Sequence, residues 1–174
     1  MGYKINKNMQ VKKESELGFT LMELIIVIAI IGIITTITVP IYKNYIHNSR
    51  DTAIIANVKT ISSYINSVFI RCSTGEKTIA IATFGNIDCS AAGHHANISP
   101  MLTIFSNYFV NQVGTNPYNK TLAGILVSGQ SQPTGTISLD YGRPDQCDGS
   151  RWCIRVIGWQ SNKTTINLIY SDKW

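Results

Sequence analysis

The stretch that decides the fold runs from Leu17 to Tyr45 and reads LGFTLMELIIVIAIIGIITTITVPIYKNY. Within it, residues 24–42 are 19 uncharged positions, and nine of them are isoleucine. A helix rises about 1.5 Å per residue, so 19 residues span about 28 Å. The hydrocarbon core of a bilayer is ~30 Å thick. The stretch therefore predicts a membrane-spanning helix.

A secretory signal peptide is the alternative interpretation of the same stretch, because basic residues also precede its apolar region. That apolar region usually covers only 7–15 residues and ends at a small-residue cleavage site. Here Pro40, Ile41, Tyr42 and Lys43 follow instead, which favours a membrane helix. The lysines before the helix place the N-terminus in the cytoplasm by the positive-inside rule. The remainder of the chain is then expected outside the cytoplasm.

Length and composition limit the class of protein. The chain has 174 residues, enough for one domain with an appendage. Charged residues make up 14%, against about 25% in a typical globular protein, which argues against a disordered charged tail. The net charge of +5 is too small by itself to indicate nucleic acid as a partner.

Four cysteines all follow the apolar stretch, at positions 72, 89, 147 and 153. An even number on one side of a membrane segment indicates disulfides in an oxidising compartment. A zinc site is the alternative, but no C-x-x-C pair is present to favour it. Because each pair is local in sequence, we predict the disulfides Cys72–Cys89 and Cys147–Cys153.

Beyond Pro40 the apolar residues recur at helical spacing. The apolar stripe consists of Ile54, Val58, Ile61, Ile65 and Val68. No strong breaker lies between residues 41 and 70, so the pattern predicts one helix of about 50 residues. We expect a kink at Pro40, because proline removes a backbone hydrogen bond inside a helix.

The remainder of the chain mixes strand and helix signals. Residues 78–84 form a short β-like run, and Ser99-Pro100 is a helix-start signal for a helix that Gly114 ends. Four later runs are rich in strand-forming residues, namely 122–128, 136–141, 152–159 and 164–170. The predicted fold class is α+β, with a long kinked N-terminal helix, membrane-embedded in its first half, packed on a four-stranded antiparallel sheet.

Glu23 lies at the head of the apolar stretch, where an ionised carboxylate needs an explanation. An acidic residue in lipid costs about 2.5–3.5 kcal/mol even on a mild insertion scale, so a function and a partner are expected for it. Cleavage after Gly18 would create a positive α-amine on Phe19, four residues away. Pairing of that amine with the carboxylate of a neighbouring subunit would compensate both charges.

The stretch Gly18-Phe19-Thr20-Leu21-Met22-Glu23 resembles the prepilin peptidase site of the type IV pilin family. Four further residues fall where pilins carry glycine, proline and tyrosines: Gly32, Pro40, Tyr42 and Tyr45. The resemblance implies cleavage between Gly18 and Phe19, N-methylation of Phe19, and a role in assembly for Glu23. Residues 1–18 would be the leader peptide, residues 19–42 the transmembrane and assembly half of the helix, and residues 43–174 the periplasmic or extracellular globular domain.

Two points about the leader and the alternative family stay open. Met9 is a second candidate start, which would leave a ten-residue leader. The stretch from Val113 to Tyr118 faintly resembles a Pro-aromatic loop of the pseudopilins of type II secretion. That group is the alternative to a pilin.

The resemblance implies a structural pilus subunit with a role in adhesion, motility or DNA uptake. Its expected partners are other pilin subunits (in a homo-polymer or a mixed filament), the prepilin peptidase, the inner-membrane assembly machinery and membrane lipid. The precursor is expected in the bacterial inner membrane and the product in an extracellular filament. We expect no enzyme, because the sequence offers no nucleophile–base pair, phosphate loop or paired acids.

Ordinary surface or core roles account for three weaker groups of residues, and we predict neither a metal nor a cofactor. A metal site could involve His94 and His95 with Asp88 and Cys89, and a calcium site could involve Asp140, Asp145 and Asp148. Nucleic acid contact is left open for alternating basic residues and tryptophans near the C-terminus. These are Arg151, Trp152, Arg155, Trp159, Lys163, Lys173 and Trp174.

Overall fold

The computed structural model describes residues 18–89, 95–127, 132–147 and 153–170. Its internal contacts divide the chain into two units, with the boundary between Tyr42 and Lys43. The first unit contains the start of a long helix and the second contains the α+β domain. The predicted leader lies outside the described residues except for Gly18.

Helix α1 covers Leu21–Ser73 and is 53 residues long, which confirms the predicted length. In the first unit its apolar side chains are exposed, among them Ile33 at 67%. Its most apolar window of 18 residues has a mean hydropathy of 2.8, and none of that window is buried. The helix is therefore long and apolar enough to cross a membrane. Pro40 lies inside α1, and the kink at this position stays a prediction.

In the second unit, the stripe of α1 that the sequence predicted lies in the core of the domain. All five stripe residues are at most 2% exposed. A Cβ atom added to Gly158 of the sheet would lie 2.8 Å from the Cγ2 atoms of Ile54 and Val58. Helix and sheet are therefore in direct contact at this glycine.

The domain has two sheets. Strands β1 (Thr78–Ile81) and β2 (Gly85–Asp88) form an antiparallel hairpin. The second sheet has the order β3-β4-β5-β6. Its strands are Ile125–Val127, Ile137–Gly142, Cys153–Trp159 and Thr164–Tyr170. The α+β class with a long helix on a four-stranded sheet is confirmed.

Two details of the predicted sheets are wrong. The run at 78–84 is not one strand, because the chain reverses at Ala82, which has a φ of 45°, and continues as β2. In the second sheet, β3 pairs with β4 in parallel, so the sheet is not wholly antiparallel. The β4–β5 and β5–β6 pairs are antiparallel as predicted.

Helix α2 covers His95–Val113 and begins earlier than the Ser99-Pro100 signal predicted. Pro100 therefore lies inside the helix, where its ring removes one backbone hydrogen bond. The predicted end is confirmed, since Gly114 has a φ of 72° and its N–H donates to the Val110 carbonyl over 3.1 Å. This left-handed conformation at a helix end is the one that glycine adopts most easily.

Two disulfides tie the domain together. Cys72 near the end of α1 is bonded to Cys89 just after β2, with Cα atoms 5.3 Å apart. Cys147 is bonded to Cys153 at the start of β5, with Cα atoms 6.1 Å apart. Both Cα distances lie in the usual range for disulfides. The pairs are those that the sequence spacing indicated.

Candidate functional site

The start of α1 is organised by a reciprocal pair of hydrogen bonds between Thr20 and Glu23. The Glu23 N–H donates to Thr20 Oγ1 over 3.2 Å, and the Thr20 N–H donates to Glu23 Oε2 over 2.9 Å. Thr20 Oγ1 also donates to the same carboxylate oxygen over 2.9 Å. This arrangement is a capping box, in which two backbone donors at a helix start are satisfied at once.

The capping box places the Glu23 carboxylate at the positive end of the helix dipole, where an anion is stabilised. The carboxylate therefore has partners within its own chain before any other subunit is present. Thr20 was missed as a functional residue in the sequence analysis. The signal was readable, since Thr-x-x-Glu before an apolar run is the sequence signature of a capping box.

Gly18 and Phe19 precede the helix in a segment without regular structure. The Phe19 side chain is 88% exposed. A Cβ added to Gly18 would meet nothing within 4 Å, and its φ lies outside the left-handed region. Among the described residues, neither packing nor backbone conformation therefore requires glycine at position 18.

A second polar group surrounds Asp51 of α1 and joins three parts of the domain. Tyr118, in the loop after α2, donates its hydroxyl to Asp51 Oδ1 over 2.8 Å. Ser161, in the turn between β5 and β6, donates its N–H over 3.1 Å and its hydroxyl over 2.6 Å. Desolvation raises the pKa of Asp51, but the hydrogen bonds from Ser161 and Tyr118 outweigh it and hold this pKa below its ordinary value.

The loop that carries Tyr118 is itself fixed by the fully buried Asn116. The Asn116 amide donates to the Thr134 carbonyl over 2.9 Å and to Thr136 Oγ1 over 3.1 Å. Its Oδ1 accepts the backbone N–H groups of Tyr118 and Asn119. The Arg50 guanidinium lies 5.2 Å from the centre of the Tyr118 ring, within the range of a cation–π contact.

The candidate metal-binding residues lie only partly within the described ranges. His94 and Asp148 lie outside the described residues, and Cys89 is held in a disulfide. Asp140 is paired with Arg155 in an ion pair that is nearly buried. Within the described ranges, no three His, Cys, Asp or Glu side chains lie close enough together to hold a metal ion.

Nucleic acid contact would need an exposed surface of alternating basic and aromatic residues near the C-terminus. Two of the described residues, Arg155 and Trp159, are not free to form it. Arg155 is engaged by Asp140. Trp159 is half-buried and donates its indole N–H to Ser138 Oγ over 3.0 Å. Lys163 is exposed. The other members, Arg151, Trp152, Lys173 and Trp174, lie outside the described residues.

An exposed apolar helix that carries a capped carboxylate at its head and continues into an α+β domain defines a pilin-like architecture. Comparison with known proteins agrees. The chain is 29% identical to fimbrial protein Q of Moraxella bovis over 126 residues, covering 64% of this chain and 76% of that protein. It is 33% identical over 85 residues to a type IV major fimbrial protein of Dichelobacter nodosus, covering 49% of this chain and 54% of that protein.

A shorter match is closer in identity. Over 57 residues the chain is 52% identical to a type IV major alpha-pilin of Moraxella bovis, covering 33% of this chain and 36% of that protein. These relatives confirm the resemblance to the type IV pilin family that the N-terminal motif indicated. The chain spans about half the length of the Dichelobacter relative and about a third of the alpha-pilin. No family model matches the chain, and no solved structure matches it.

Proposed function

We propose that the chain is a structural subunit of a type IV pilus, inserted in the inner membrane as a precursor and then polymerised into an extracellular filament. The observation that carries this proposal is the exposure of the apolar part of α1, none of which is buried in the most apolar window. Such a large apolar surface is unstable in water and needs lipid or other protein to cover it. Membrane lipid covers it in the precursor, and the helices of other subunits cover it in the filament.

The precursor is processed between Gly18 and Phe19 by the prepilin peptidase, which also methylates the new N-terminus. The exposed segment before α1 is accessible to an enzyme, and neither packing nor backbone conformation among the described residues requires glycine at position 18. A small residue at this position therefore fits recognition by the peptidase rather than a structural role among the described residues. Helix α1 begins at Leu21, so cleavage leaves the capping box complete in the product.

Intact-mass analysis of the assembled protein tests this processing. We expect a chain that begins at Phe19 and carries an additional methyl group. Gly18→Val should leave precursor in the membrane fraction. Gly32→Val is the matched control, because Gly32 also has open space around it and should be processed normally. A mature chain that begins at Met1, at Met9 or beyond Ala29 would contradict the proposal.

Assembly uses the charge of Glu23, which pairs with the α-amine of Phe19 on a neighbouring subunit. The amine is cationic near neutral pH. Charged pairs are poorly screened where water is scarce, as between closely packed apolar helices. This pairing favours one axial register for the incoming subunit.

The capping box allows the charge of Glu23 to be separated from its structural role. Glu23→Gln removes the charge but keeps the cap, because glutamine serves equally at this position of a capping box. Thr20→Ala keeps the charge but removes the cap, which costs about 1 kcal/mol of helix stability. We expect Glu23→Gln to insert in the membrane at the wild-type level and to be lost from filaments sheared off the cells.

The two fractions, membrane and sheared filaments, are scored separately by mass spectrometry. If Glu23→Gln enters filaments at the wild-type level with no other pilin supplying the carboxylate, the charge does not drive assembly. If the wild-type chain is processed but stays in the periplasm, the chain acts as a pseudopilin of type II secretion instead. The neighbouring genes also separate these two alternatives, since pilus genes would favour a pilin and secretion genes a pseudopilin.

A further inference from the structure

A hollow of about 400 Å³ lies beside α1 and belongs wholly to the second unit. One wall is a single turn of α1, and the other is the turn between β5 and β6. The lining residues are Asn44, His47, Asn48, Ser161 and Asn162. All five are exposed, so the hollow is open to a ligand from outside. Polar and apolar atoms share the lining about equally.

The two walls of the hollow are held in place by the hydrogen bonds around Asp51. Ser161 is fixed to Asp51 by its backbone N–H and its hydroxyl. On the α1 side, the Tyr118 hydroxyl lies 3.2 Å from the His47 carbonyl, and the two rings are 5.7 Å apart. The hollow is therefore preformed, which lowers the entropy that is lost when a ligand binds.

Three side-chain amides of the lining are available to a ligand. In the described part of the chain, the side chains of Asn44, Asn48 and Asn162 make no hydrogen bond with another residue. Each amide presents a carbonyl acceptor beside two N–H donors. A hydroxyl group is likewise both a donor and an acceptor, so one amide can bond two neighbouring hydroxyl groups of a ligand. The apolar half of the lining needs a ligand that also carries a carbon skeleton.

Asp51 adds a charged acceptor beside these amides. It lies one turn after His47 and Asn48, on the same face of α1. Its pKa lies below the ordinary value, so the carboxylate is ionised near neutral pH. The ion pairs among the described residues do not include Asp51. Three hydrogen bonds occupy the carboxylate, which offers about four acceptor sites, so a hydroxyl group can still donate to it. A hydrogen bond to an ionised acceptor is about twice as strong as one between neutral groups.

The charges around the hollow disfavour an ionic ligand. Arg50 directly precedes Asp51, and its guanidinium lies 5.2 Å from the centre of the Tyr118 ring. Lys43 and Lys163 are exposed, and each adjoins a lining residue in the sequence. These three cations repel a metal ion or an ammonium group, whereas the ionised Asp51 repels an anion. A neutral ligand is free of both costs.

We propose that the hollow binds a neutral sugar, whose hydroxyl groups are held by the lining asparagine amides and by the Asp51 carboxylate. A sugar carries hydroxyl groups around the rim of its ring and C–H bonds on its two faces. The hydroxyl groups match the amides and the charged acceptor, and the C–H faces match the apolar half of the lining. This inference goes beyond the proposed structural role and does not depend on it, because the site lies within a single chain.

Saturation-transfer NMR of the full oxidised chain tests the proposal, in a detergent that has no sugar headgroup. The probes are the methyl glycosides of glucose, galactose, mannose and fucose, and we expect saturable binding of at least one of them. Asn48→Ala and Asn162→Ala should each weaken this binding about fivefold, because each removes a hydrogen bond to the sugar. Asn66→Ala is the matched control, because Asn66 is an exposed asparagine of α1 outside the lining of the hollow. It should bind the sugar as the wild type does.

Two competing probes, ethanolamine and calcium chloride, separate a sugar site from a cation site. Neither should displace the bound glycoside, and Asp51→Asn should weaken its binding, because an ionised acceptor becomes a neutral one. Displacement by either probe, equal binding by all three asparagine variants, or no saturable binding of any glycoside would overturn the proposal. Such a failure leaves the proposed function intact, since that function is scored by the chain present in filaments sheared off the cells.

Discussion

The contact between α1 and β5 depends on the absence of a side chain at Gly158, and Gly158→Ala tests this directly. The added Cβ would lie 2.8 Å from both Ile54 Cγ2 and Val58 Cγ2. Carbon atoms in contact normally lie about 3.5–4.0 Å apart. Ile54 is 1% exposed and Val58 is 0% exposed, so neither side chain has free space into which it can turn. The helix itself has to move away from the sheet.

Overpacking of this kind costs about 1–3 kcal/mol. For a domain of this size, 1 kcal/mol shifts Tm by about 4 °C, so Gly158→Ala should lower Tm by about 4–12 °C. The assay is thermal unfolding of the full oxidised chain in detergent, followed by near-UV circular dichroism.

A second substitution makes this test specific. Val58→Ala removes one of the two methyl groups in the clash. The double variant Gly158→Ala/Val58→Ala should therefore lose less free energy of unfolding than the two single variants lose together, by at least ~0.5 kcal/mol. Val68→Ala is the matched control, because Val68 is an equally buried valine of α1 away from Gly158. Its effect should add to that of Gly158→Ala. Additivity in both pairs, or an unchanged Tm for Gly158→Ala, would refute this account of the packing.

Three further predictions concern the second unit. Asp51→Asn should lower Tm at neutral pH. The pKa of Asp51 in the folded protein lies below its ordinary value of 3.8, so the difference in Tm from wild type should vanish as the pH falls below 3.8 in a series of thermal melts. Asn116→Ala should cost about 2–4 kcal/mol in urea unfolding, because it leaves buried donors and acceptors unpaired; a cost below 0.5 kcal/mol would contradict this. Replacing Cys72 and Cys89 by serine should cost about 3 kcal/mol, and replacing Cys147 and Cys153 about 2 kcal/mol, because the sequence separations are 17 and 6; the reverse order of Tm would contradict the loop-entropy argument.

The sequence predicted the parts of the fold that depend on strong local signals. The length of α1 follows from an apolar run of membrane-spanning length and from a stripe at helical spacing, and the end of α2 follows from Gly114. The parallel pairing of β3 was not readable, because it depends on a close approach between distant residues. A Cβ at Gly124 would lie 2.7 Å from the Gly114 carbonyl oxygen, and the Gly124 carbonyl accepts the Ile137 N–H over 2.8 Å. The hydrogen bond from Ile137 places β3 beside β4, and the approach to Gly114 places the start of β3 beside the end of α2.

The site was predictable to a similar degree. The charge of Glu23 is conspicuous in an apolar run, so charge alone was enough to single it out. The group around Asp51 was not predictable, because Tyr118 is 67 residues away and Ser161 is 110 residues away. In the sequence, Asp51 is one polar residue among several on an amphipathic helix. Its partners are identified only when the fold brings two loops next to it.

The capping box changes how the cost of Glu23 is understood. An acidic residue without a partner raises the free energy of insertion into lipid, and this cost indicated a neighbouring subunit as the partner of Glu23. Glu23 instead has partners in Thr20 and at the start of its own helix, so its carboxylate is hydrogen-bonded before any second subunit is present. In the proposed function, the α-amine that cleavage releases on Phe19 then adds a full positive charge one residue before Thr20. We therefore propose that processing, rather than the carboxylate alone, makes Glu23 selective for another subunit.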